Sequence, residues 1–132
     1  MGFLLDTNIV SDLVRNPHGR IFARIAGVGE ENVCTSIIVA AELRFGATKK
    51  KSSQLTAQLE IVLGALDVLS LEPPVDAAYG VIRASLERTG QLIGANDLLI
   101  AAHALVLGHT VVTDNTREFS RIDKLQVENW LR

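Results

Sequence analysis

Residues 3–8, FLLDTN, set three apolar side chains directly before an aspartate, a threonine and an asparagine. Such a run is too short for a helix. Without polar alternation it reads as a β-strand buried on both faces, the kind found at the centre of a parallel sheet. Asp6 then stands at the C-terminal lip of that strand. In open α/β sheets this lip borders the crevice where strand order reverses and where ligands collect. A plainer role is open as well: Asp6 or Thr7 caps a helix that begins near Ile9.

Outward from this strand, helical and extended patterns alternate. NIVSDLVR spaces Ile9, Val10, Leu13 and Val14 as a helix that stops at Asn16-Pro17. GRIFARIAGVG repeats the spacing through Ile21, Phe22 and Ile25 until Gly27 and Gly29 break it. NVCTS reads as a second strand, and from about Ser36 IIVAAELRFGATKK reads as a helix using Ile38, Ala41, Phe45 and Ala47. Leu55, Leu59, Ile61, Val62 and Leu66 continue a helical spacing from Ser52 to Leu66, so that these two helices would form an antiparallel hairpin.

DVLSLEPP gives a third strand, stopped by its proline pair. VDAAYGVIRASLERTG gathers Val75, Ala78, Tyr79, Ile82 and Leu86 on one face and closes at Gly90. NDLLIAAHALVLGHT is a further helix, closed by Gly108. TVVT then forms a fourth strand and LQVENW a fifth at an edge. This alternation predicts an α/β three-layer sandwich: a mostly parallel sheet of four or five strands, flanked by helices and linked by right-handed crossovers.

The bulk numbers agree with one globular domain over residues 1–132. Apolar residues make up 48% and charged residues 21%, with no apolar stretch near membrane length. MGFLLD has neither a basic opening nor a cleavage site of small residues, so a cytoplasmic location is expected. Cys34 is the single cysteine, which excludes an internal disulfide and a thiolate zinc cluster; its apolar neighbours make it a small core residue. A net charge of −2 and a pI of 5.9 carry no global signature of nucleic-acid binding, so a polyanionic partner would need a local basic patch.

Four positions carry candidate chemistry. Glu42 follows Ile38 by four residues and precedes Phe45 by three, which sets a carboxylate on an apolar stripe. Burying such a charge unpaired costs several kcal/mol or more. A salt bridge to Arg44, or a helix turned to expose Glu42, would also account for it. Asp97 precedes Ile100, Ala101 and Ala104 on the buried side of its helix, although Asn96 or Asp97 would serve equally as a cap. Asp114 and Asn115 follow the fourth strand, where a turn capping the short helix before Phe119 is the simpler account.

Together these residues are expected to meet at one crevice. Three or four carboxylates there repel one another, and no single lysine or arginine in the adjacent motifs is spaced to neutralise them. A hard divalent cation such as Mg2+ or Mn2+ would, and with it phosphodiester hydrolysis becomes the fitting chemistry.

LLDTN, AEL around Glu42, NDLLIAAHAL, VVTDNTREF and LQVENW, in this order along essentially the whole chain, resemble PIN-domain ribonucleases, most closely VapC-type toxins of toxin–antitoxin pairs. The resemblance implies that Asp6, Glu42 and Asp97 hold Mg2+ or Mn2+, directly or through water. It further implies that Thr7 and Asn8 shape the site. Relatives often carry an acid where Asn115 stands, so Asn115 is taken as the fourth site residue, with Asp114 or Glu118 as substitutes for the missing charge.

The implied substrate is single-stranded or looped RNA, cut endonucleolytically. The implied partners are a VapB-like antitoxin and a second copy of the chain, as homodimer and hetero-oligomer, with no membrane. The helix pair between Ile37 and Leu66 carries apolar stripes that suit either partner. Lys49, Lys50, Lys51, Arg44, Arg15, Arg20 and Arg117 are candidate phosphate contacts. His18, His103 and His109 form no triad and receive no catalytic role. Trp130 is expected to pack the last strand or a dimer contact.

Two other readings stand beside this one. A haloacid-dehalogenase-type phosphatase would need a second aspartate where Asn8 stands, and a PIN-like module that only binds RNA or protein would not need the acids intact.

Overall fold

The computed structural model describes residues 2–132, and within them β1 (Phe3–Leu5) is the middle strand of a five-stranded, wholly parallel sheet. Its neighbours are β2 (Val33–Ser36) and β4 (Thr110–Val112), with β3 (Asp67–Leu69) beyond β2 and β5 (Val127–Glu128) beyond β4. Leu4 and Leu5 point to opposite faces and both are fully buried, as are Val111 and Val112. Helices therefore cover the sheet on both sides, which is why these strands show no polar alternation. The order β3-β2-β1-β4-β5 means that the chain winds outward one way, returns, and winds out the other way, so strand order reverses between β1 and β4.

The helices are α1 (Thr7–Arg15), α2 (Arg20–Val28), α3 (Ile37–Lys50), α4 (Ser53–Ala65), α5 (Val75–Arg88), α6 (Ala95–Leu107) and the short α7 (Thr116–Phe119). Ser36 and Ser52 cap α3 and α4 through their hydroxyls, which accept from Ile38 and Leu55 amides. Gly108 ends α6 at φ 70°, a left-handed conformation that glycine adopts without a Cβ penalty. Packing of α3 on α4, of α1 on both, and of α5 on α6 completes the layers. Among the described residues no helix is long and apolar enough to cross a membrane.

Some local expectations shift. α1 begins at Thr7, two residues ahead of Ile9, because Asp6 is its cap. β3 stops at Leu69, short of the proline pair. Phe22 is about half exposed, so only Ile21 of α2 is fully committed to the core. On α3 the buried residues are Val39, Ala40 and Ala47, whereas Phe45 is 68% exposed. Cys34, Trp130 and His103 are buried; Trp130 packs against Phe3, with ring centroids 5.2 Å apart, and beneath Arg24. His103 Nδ1 lies 3.0 Å from Ser36 Oγ. Burial, followed by the nearby His109, holds its pKa below the usual histidine value.

Candidate active site

Asp6 occupies the switch point. Its amide donates to Val112 O (2.9 Å), extending the β1–β4 pairing by one residue, and its extended backbone (φ −77°, ψ 169°) turns the chain into α1. Both carboxylate oxygens are engaged: Oδ1 accepts the Thr7 amide at 2.7 Å and Oδ2 accepts the Thr113 hydroxyl at 2.7 Å. Asp6 is thus a helix cap and a cleft residue at once, so the two readings of FLLDTN are both correct. Burial raises its pKa above the ordinary carboxylate value, the Thr113 and Thr7 hydrogen bonds oppose that rise, and the charge of Glu42 adds to it.

Thr7 joins the next acid. Its hydroxyl donates to Glu42 Oε1 at 2.7 Å, so one residue grips Asp6 with its backbone and Glu42 with its side chain. Glu42 is half-buried and makes no salt bridge to Arg44, which bonds Glu60 on α4 instead. Glu42 does not share a stripe with Phe45. It lies beside Leu43, Gly46 and Ala47, the residues that α3 turns toward the cleft.

Asp97 enters from the first turn of α6, whose cap is Gly94, so neither Asn96 nor Asp97 caps the helix. Burial, then the charges of Asp6, Glu42 and Glu118, push its pKa from 3.8 up to about 6, against a weak opposing hydrogen bond from Asn115. That hydrogen bond runs from Asn115 Nδ2 to Asp97 Oδ2 at 3.4 Å. Asn115 stands at the cap of α7 without capping it through its side chain, and its own amide donates to the Thr113 hydroxyl.

Asp114 points elsewhere: Oδ1 accepts from Asn129 and lies 3.6 Å from Arg132. Asn115 therefore holds the fourth position in the cleft, and Glu118 supplies the extra negative charge felt by Asp97. Asn8 Oδ1 accepts the Asp114 amide at 3.0 Å, a bracing role that leaves no acid two residues after Asp6 and removes the phosphatase reading.

Asp6, Glu42, Asp97 and Asn115 line one cavity of about 470 Å3. Arg15 and Lys50 line it too, but neither is within ion-pair distance of the acids, in keeping with the expectation that no lysine or arginine is spaced to neutralise them. Of the other candidate cations, Lys49 lies over the Phe45 ring, Lys51 forms the left-handed end of α3, and Arg20 bonds Leu131 O. Sequence reasoning missed Thr113 as a partner of Asp6; its place at the end of β4, level with the end of β1, was the available signal.

The donor set is hard oxygen throughout, which suits Mg2+ or Mn2+ and disfavours soft metals. Among the described residues no three His, Cys, Asp or Glu side chains are grouped closely enough to hold an ion among themselves.

The PIN domain family model matches residues 3–125. Ribonuclease VapC2 of Rickettsia felis is 38% identical over 98% of each chain, and the tRNA(fMet)-specific endonuclease VapC of Shigella flexneri is 35% identical over 97% of each. The crystal structure of Rickettsia felis VapBC2, bound to a DNA fragment from its promoter, superposes with a TM-score of 0.91 at 37% identity, covering 98% of this chain and 99% of the other. Matched along almost its whole length in sequence and in fold, the protein belongs to the PIN-domain family, within its VapC group.

Proposed function

We propose that the protein is a metal-dependent endoribonuclease that hydrolyses phosphodiester bonds in single-stranded or looped RNA, and that it is the toxin of a VapBC-type pair. The observation that carries this reading is the convergence of Asp6, Glu42 and Asp97 from three separate elements on one cleft, close enough for the first two to raise the pKa of the third. Natural chains keep such mutual repulsion where a cation or a reaction uses it. The names of the VapC relatives support RNA as the substrate, and the VapBC complexes support a VapB-like antitoxin as the partner.

Asp6, Glu42 and Asp97 would hold Mg2+ or Mn2+, and the bound ion would activate water and offset charge on the phosphate. The chain's own residues prepare for this. Thr7 and Thr113 hold Asp6 in one orientation, and the Thr7 hydroxyl holds Glu42. Asn115 directs its amide at Asp97, and as a neutral side chain it keeps the local charge lower than a further acid there would. A cleft of this shape takes a splayed single strand more readily than a backbone inside an A-form helix.

The test is cleavage of an RNA pool by the purified protein with Mg2+, with Mn2+, and with chelator, set beside Asp97→Asn. Metal-dependent cutting that the variant loses is expected. Cutting unaffected by chelator, or equal cutting by the variant, overturns the proposal.

A further inference from the structure

The cleft has two chemically distinct ends, and only one is occupied by the acids. Further along α1 and α3 the walls are apolar, formed by Val14 of α1, Ala47 of α3, and Leu55 and Leu59 of α4, and the lining there includes Arg15 and Lys50. Lys50 makes no ion pair among the described residues, and Arg15 bonds only within α1, to Ser11 and Asp12. Of the three consecutive lysines, Lys50 alone lines the cavity.

Gly46 gives an independent observation. It sits inside α3, where glycine is a poor helix former, yet a Cβ built there would meet nothing within 4 Å. Packing does not require a glycine at this position, nor at Gly27, Gly64 and Gly80, which are equally open; of these Gly46 alone lines the cavity. What the missing side chain leaves is room in the cavity wall, between Glu42 and Lys50 along the same helix.

We infer that this end of the cleft is a nucleotide seat: the base flanking the scissile phosphate lies over the apolar wall opened by Gly46, and Lys50 and Arg15 take the next phosphate. The inference rests on the RNA-cleaving reading and adds to it where the neighbouring nucleotide binds. Charge complementarity selects the occupant, since Lys50, without an ion pair among the described residues, and Arg15, bonded only within its own helix, stand beside an apolar wall and match a base joined to a phosphate. The cavity volume of about 470 Å3 is in the range of sites that hold small ligands.

The experiment measures anisotropy of a fluorescein-labelled, single-stranded hexaribonucleotide pool in chelator, together with KM and kcat for its cleavage in Mg2+. Gly46→Leu is expected to weaken binding and raise KM about tenfold with kcat little changed, while its melting temperature holds or rises because leucine favours helix. Gly46→Ala is expected to fall between. Lys50→Ala should raise KM severalfold and reduce the slope of log affinity against log salt by about 0.7, the signature of one lost single-strand phosphate contact.

Arg88→Ala, exposed on α5 and outside the cavity lining, is the control and should match the wild type. Wild-type KM and salt slope in both Gly46→Leu and Lys50→Ala would overturn the seat and reassign the groove to a protein segment. Absence of any cleavage by the wild type would instead sink the ribonuclease reading itself.

Discussion

Asp97 allows the sharpest measurement, because its carboxyl is held against its own preference. Burial and the neighbouring charges of Asp6, Glu42 and Glu118 raise its pKa from 3.8 to about 6. The folded chain therefore binds that proton more tightly than the unfolded chain, and stability falls as pH rises from about 3.8 to about 6 and stays reduced above it. A displacement of about two pH units is worth about 3 kcal/mol if fully expressed. Asp97 is half-buried, so solvent screening leaves roughly 1–2 kcal/mol.

Asp97→Asn removes the charge without changing the shape. In chelator at pH 7.5 the variant should melt about 4–7 °C above the wild type, as expected for a stability gain of this size in a chain of this length. Near pH 3.5 the two should converge. Mg2+ should narrow the gap at pH 7.5, because a ligand that binds the folded wild type stabilises it by mass action and the variant has lost part of the site. Thermal unfolding followed by circular dichroism, over pH 3.5–8 with and without Mg2+, reads all three. A variant equal to or less stable than the wild type in chelator at pH 7.5 would refute the claim that the acids repel one another.

Other outcomes follow from the same geometry. Thr113→Val takes away the hydroxyl that holds Asp6 Oδ2, and should cost about 1–3 kcal/mol in denaturant unfolding and about 10–100-fold in metal affinity or cleavage. Unchanged titration of Mg2+ would show that Asp6 needs no such support. Cys34, buried and raised to about 11, should resist Ellman's reagent in the native state and react once on unfolding; rapid native reaction would contradict its burial. Arg44→Ala should leave cleavage and melting temperature unchanged, since Arg44 pairs with Glu60 at the exposed surface; a marked loss of cleavage would restore it as a phosphate contact.

Much of the architecture was legible because strands buried on both faces leave unbroken apolar runs, and FLL and TVV are such runs. Their ends then located Asp6 and Asn115. Glu42 was found through the wrong neighbours. IIVAAEL is so evenly apolar that its periodicity leaves the rotation of α3 undetermined, and Phe45 proved solvent-facing while Leu43, Gly46 and Ala47 turned inward. The cap of α6 escaped notice because Gly94 caps without a side chain, and its neighbours Asn96 and Asp97 are better cap formers. Thr113 as a partner of Asp6, and Arg15 and Lys50 as lining of the same cavity, depend on how elements distant in sequence meet, which no local pattern encodes.

The pairing of Asp6 with Thr113 joins residues 107 positions apart. During synthesis the strand bearing Asp6 leaves the ribosome first, and it waits for almost the entire remaining chain before the hydroxyl that orients it has been made. Chains cut short by stalled or aborted translation before β4 therefore lack an assembled cleft, so whatever hazard the finished protein carries is withheld from its own unfinished copies.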